Sequence, residues 1–85
     1  MKCRHTEALD LARDGEWDKA HNIVQKYNDE LSCLIHAYLH RVDGDIGNAN
    51  YWYRRADTTA PNNTLVEELD RLYGLVKKQT RNPET

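Results

Sequence analysis

The sequence predicts an all-α domain of five short helices, arranged as two antiparallel helical hairpins with a C-terminal capping helix. Three observations carry that prediction. Apolar residues recur at spacings of three and four in five separate stretches, and none alternates convincingly with period two. Glycine, proline and capping residues stand between those stretches. A block that begins at Gly15 is repeated from Gly44, 29 residues further on.

The first helix is expected over 6–14, where Ala8, Leu9, Leu11 and Ala12 share a face and Gly15 supplies the stop. The second, over 17–27, lines up Trp17, Ala20, Val24 and Tyr27, with Asp18, Lys19, Asn22 and Lys26 outside. Asn28 and Asp29 are good caps for a third helix over 30–43, and Glu30 places negative charge in its first turn. Gly44 ends that helix. Asp45 then caps a fourth, whose inward face is Ile46, Ala49, Tyr53 and Ala56. Pro61 and the two asparagines after it make 58–63 a loop. Thr64 and Glu67 form a capping-box pattern ahead of the stripe Leu65, Val66, Leu69, Leu72, Tyr73 and Val76, so the fifth helix is expected to run to about Lys78. The ordered core thus spans about 6–78, and the tail 79–85, without an apolar residue, is expected to fray.

Eighty-five residues with 39% apolar and 31% charged side chains suit one domain with a single economical core. A formal charge of −2 gives no electrostatic ground for a nucleic-acid partner or an anionic membrane. No apolar run approaches the ~20 residues that span a bilayer, and the N-terminus lacks the apolar stretch of a signal peptide. Cys3 and Cys33 are accordingly read as reduced thiols of a cytoplasmic protein.

In the repeat, Gly15 aligns with Gly44, Glu16 with Asp45, Trp17 with Ile46, Ala20 with Ala49 and Val24 with Tyr53. A glycine turn, an acidic cap, a large apolar residue and a small alanine each time start a helix that packs closely on the one before it. The second copy, with Ala49, Tyr53, Ala56 and Pro61, resembles the tetratricopeptide or Sel1-like repeat class; the 29-residue spacing against the usual ~34 makes the array irregular. That resemblance implies protein–protein binding on a concave surface. The segments Ala20–Gln25, His36–Arg41 and Asn48–Tyr53 together also resemble a group of small bacterial proteins, a likeness that implies no reaction.

The stretch Leu31–Asp43 holds most of the candidate chemistry. Cys33, His36 and His40 fall within about 60° of one another on a helix, which allows a zinc site with His21 or Asp43 as a fourth ligand. The same residues are explained without a metal if the third helix is buried on two sides. The histidines then serve as packing and hydrogen-bond pins, both buried and at least one hydrogen-bonded, and the cysteine is core filler. A nucleophilic reading pairs Cys33 with His36, oriented by Asp43 or Asp45, but no second loop or glycine-rich turn offers an oxyanion hole. Glu67 and Glu68, and Asp10 and Asp14, are expected on solvated faces, and Gly44 and Gly47 make no phosphate loop. Tyr51 with Arg54 and Arg55 forms an aromatic and guanidinium surface beside Trp52.

The reading that joins these points is a non-catalytic protein–protein interaction module with no cofactor and no catalytic residue. It recognises a protein segment or a second copy of itself, as a homodimer, through a groove lined by Tyr51, Arg54, Arg55 and the open side of the fifth helix. A metal-binding or metal-sensing bundle using Cys33, His36, His40 and His21 is the second reading, and a small enzyme working through Cys33 or His36 the third.

Overall fold

The helices are α1 (His5–Arg13), α2 (Trp17–Val24), α3 (Glu30–Val42), α4 (Ile46–Arg55) and α5 (Leu65–Arg81). They come from a computed structural model that describes residues 3–81, with side chains described for 3–79. Among these residues there is no strand.

Local chemistry sets the helix ends much as the sequence predicts. The Asp29 carboxylate accepts the Ser32 backbone N–H at 3.1 Å, and that of Asp45 accepts the Asn48 backbone N–H at 3.3 Å. Thr64 and Glu67 close a reciprocal capping box at 2.9 and 3.1 Å. The two glycine turns are built alike. Gly15 N–H donates to the Ala12 carbonyl and Glu16 N–H to that of Leu11, while Gly44 and Asp45 donate to Arg41 and His40 in the same pattern. Both glycines have positive φ, 81° and 79°, with open space where a Cβ would stand. Gly44→Ala is therefore expected to lower stability by about 1–2 kcal/mol through backbone conformation alone, without a clash, which urea unfolding followed by circular dichroism would measure. Asp57 makes a third turn of this kind at φ 63°, using the Arg54 and Tyr53 carbonyls.

Two ends differ from expectation. Helix α2 stops at Val24, short of Tyr27, because the chain must reach the extended backbone of Asp29, at ψ 159°, in time to cap α3. Tyr27 still packs on the core, from the turn. Helix α5 continues past Lys78 to Arg81; the rest of the predicted frayed tail, 82–85, lies outside the described residues.

Helices α1 and α2 form one hairpin and α3 and α4 the other, and α5 lies across α1 and α3. Helix α3 packs on all four of its neighbours, which is why ten of its residues, Leu31 to His40, are buried without a break. The two repeat alanines, Ala20 and Ala49, are buried to 0% and 1% exposure, as close helix approach requires. Leu9, Ile35, Leu39, Tyr53 and Leu72 fill the centre. Among the described residues no helix is long and apolar enough to cross a membrane.

Glu68, expected on a solvated face, is instead fully buried. It accepts hydrogen bonds from Tyr53 Oη at 3.0 Å, Asn63 Nδ2 at 2.8 Å, and Arg71 Nε and Nη2, both at 2.8 Å. Arg41 completes the junction through Asn63 Oδ1 and the Asn63 carbonyl. This cluster ties the start of α5 to α3 and α4, and a carboxylate so fully bonded can stay charged inside the protein.

Candidate functional site

Where α2 docks on α3, three imidazoles meet. One ring nitrogen from each of His21, His36 and His40 lies within 4.8 Å of the others. The spacing of His36 and His40, one turn apart on α3, brings their rings to 5.1 Å nearly parallel, and His21 enters edge-on at 4.6 Å from His36 and 5.5 Å from His40. Both tryptophans of the chain enclose the group. Trp52 of α4 stacks on His36 at 3.9 Å and Trp17 on His21 at 4.7 Å. Trp17 is fixed in turn by its indole N–H, which donates to the Leu39 carbonyl at 2.6 Å.

His36 and His40 are buried, at 4% and 8% exposure, as predicted. The expected hydrogen-bond pin is missing: Nδ1 of each ring is buried and has no partner among the described residues. The rings around them offer π faces and edges in place of acceptors, because the aromatic residues of α2 and α4 fill the space where a carbonyl or hydroxyl would stand. Burial, then the neighbouring His21 and His40, push His36 down from the ordinary imidazole value to about 4. His21 is lowered by burial and by His40, against an upward pull from Asp18.

Cys33 does not join this group. It is 1% exposed, and its Sγ faces the Asn28 carbonyl at 3.7 Å. Burial raises its thiol above the ordinary range and Asp29 adds to that, while Arg55 opposes it. A protonated, enclosed thiol is the reverse of an activated nucleophile.

On the outer side of α4, Tyr51 is 43% exposed; Ile46, expected on the inward face with Ala49, Tyr53 and Ala56, is instead 56% exposed at the first residue of the helix. Arg55 is held over this surface: its guanidinium lies 5.8 Å from the Tyr51 ring and 5.3 Å from the Trp52 ring, and it donates to Tyr51 Oη at 3.0 Å and Asn28 Oδ1 at 3.1 Å. Arg54 is exposed beside it, and Asp43 and Asp45 are exposed at the opposite end of the helix. Helix α5 packs on α1 and α3 and meets α4 through the Tyr53–Glu68 bond.

One constellation was absent from the sequence reading. His5 Nε2 lies 2.8 Å from Asp29 Oδ2 and 3.1 Å from Ser32 Oγ, and the Ser32 hydroxyl donates to Asp29 Oδ1 at 2.6 Å. The residue types are those of a nucleophilic triad, but the geometry is different. Both partners meet the same imidazole nitrogen, so that nitrogen cannot take a proton from Ser32 while the other is oriented by Asp29. Ser32 is also fully buried. The group pins the start of α1 to the cap of α3; the two lie 24 residues apart, and no local signal announces the contact.

No family model, curated protein or solved structure matches the chain. The reading of function therefore rests on these side chains.

Proposed function

We propose that the chain is a protein–protein interaction module whose partner is a second copy of itself, paired through α4. The observation that carries this is the position of α4. Among the described residues it packs closely on α3 alone, and its exposed side runs from Asp43, Asp45 and Ile46 at one end through Tyr51 to Arg54 and Arg55 at the other, so its two ends carry opposite charge. Ten residues make this helix about 15 Å long. When two copies are set antiparallel about a twofold axis, each Arg54 and Arg55 faces the other copy's Asp43 and Asp45, with Tyr51 between them. The self-complementary charge order suits an isologous contact, and a parallel arrangement would oppose like charges. Tyrosine and arginine are the residue types that dominate such contacts, and the cation–π contacts of Arg55 hold both in place beforehand. The tetratricopeptide or Sel1-like resemblance supports an interaction role, and two buried free thiols support a cytoplasmic setting.

One helix face makes a small interface, so the dimer should be concentration-dependent and weakened by salt. Sedimentation equilibrium of the pure protein is expected to show it. The double variant Tyr51→Ala/Arg55→Ala is expected to dissociate about tenfold or more easily, with helicity unchanged by circular dichroism. A wild-type chain that stays monomeric at every concentration, or a variant that associates equally well, would rule this out.

A further inference from the structure

We infer that His21, His36 and His40 form a binding site for one divalent transition metal of the zinc class, clamping the first hairpin to the second. Two independent observations point to it. The three imidazoles converge from two helices, with a ring nitrogen of each within 4.8 Å of the others. Two of the rings also carry a buried nitrogen for which the described residues provide no hydrogen-bond partner. A buried polar atom without a partner costs about 1–3 kcal/mol, and a protein built only for packing would place apolar side chains at His36 and His40. A metal ion held at those nitrogens would resolve that cost by accepting their lone pairs.

The donor set selects the ion. Three neutral nitrogens and no carboxylate within the group suit zinc, copper, nickel or cobalt, and disfavour magnesium and calcium, which take oxygen ligands. Zinc–nitrogen bonds of about 2.0–2.1 Å need the ring nitrogens closer together than 4.8 Å. His21 is the ring with room to move, being half-buried while the α3 pair is buried. A fourth ligand would come from that more exposed side. Asp18, one turn earlier on α2 and exposed, already acts on His21 through its charge, and either it or water completes a tetrahedron there. Cys33 contributes nothing, which separates this site from the cysteine-containing set that helical spacing suggests.

The tryptophans provide the readout, since each stacks on one of the proposed ligands. Protein stripped with EDTA and dialysed should take up one zinc ion per chain by native mass spectrometry and calorimetry. Its melting temperature should rise with zinc concentration, and copper should quench its tryptophan fluorescence. His21→Ala, which removes the least buried ligand, should weaken zinc binding by well over about tenfold while far-UV circular dichroism stays that of the parent, and Cys33→Ser should bind as the parent does. Should His21→Ala lose helicity, His21→Gln serves the same comparison. The inference is overturned if the stripped parent protein gains neither mass nor melting temperature with added zinc, if the His21 variant binds as tightly as the parent, or if Cys33→Ser abolishes binding.

Discussion

Glu68→Ala is expected to cost about 3 kcal/mol of folding stability, at the lower end of the range for breaking a buried charged pair. The carboxylate is 0% exposed and holds four hydrogen bonds. Its removal leaves the Tyr53 hydroxyl and the Asn63 amide without their acceptor inside the protein. Arg71 moderates the loss, because its side chain is 41% exposed and can be rehydrated. Burial alone would push the Glu68 carboxyl up, but hydrogen bonds from Arg71, Asn63 and Tyr53, with the charge of Arg71, outweigh it and hold the group below the usual carboxylate range. A depressed acid contributes stability that is fully present above its unfolded value of about 4.3 and is lost as pH falls through the lower folded value. Glu68→Gln should therefore be less stable at neutral pH and should show a weaker pH dependence in that window, as urea midpoints measured across pH would show. Equal stability of Glu68→Ala and the parent would mean that the junction does not hold α5 in place.

Acidification between about pH 6.5 and 4 is expected to remove about 3 kcal/mol by a separate route through His36. A histidine whose folded value is depressed to about 4 binds its proton more readily in the unfolded chain, so stability rises with pH across that interval and falls on acidification. The groups that face this ring are His21 from α2, His40 from its own helix and Trp52 from α4. None is an acid, so a proton there has no counter-charge. In a domain of this size the loss is a large part of the total stability. Unfolding in urea with EDTA present, at pH 7 and pH 4.5, tests it. The parent should lose stability between those two values, and His36→Phe should lose much less; an unchanged urea midpoint in the parent would contradict the buried, neutral state of the ring.

The structure makes clear why some of this was legible beforehand and some was not. Asp29, Asp45, the Thr64–Glu67 box and the glycines at 15 and 44 were readable, because each satisfies backbone groups within a few residues of itself. The central place of α3 was readable too: an apolar run with histidines and a cysteine on its remaining face suits a helix with neighbours on every side. The membership of the histidine group was not. A helical wheel places Cys33, His36 and His40 within one sector, but that sector is shared by more than one neighbour. Cys33 turns to the carbonyl of Asn28, and the histidines turn to α2 and α4. Glu68 misled for a similar reason: an acidic pair in the first turn of a helix reads as solvated, and only the rotation of α5 against α3 and α4 decides which of the two is covered.

The sequence by itself thus determined five helices, the caps of α3, α4 and α5, the glycine turns, the two hairpins and the helix at their centre, since those follow from interactions a few residues long; Glu16, expected to cap α2, makes no side-chain cap hydrogen bond. The tertiary structure alone decided that His21 and not Cys33 completes the imidazole group, that Glu68 is enclosed, and that α4 keeps one face free. Each of these depends on how helices rotate and dock against one another, and that is set by the fit of side chains distant in the chain.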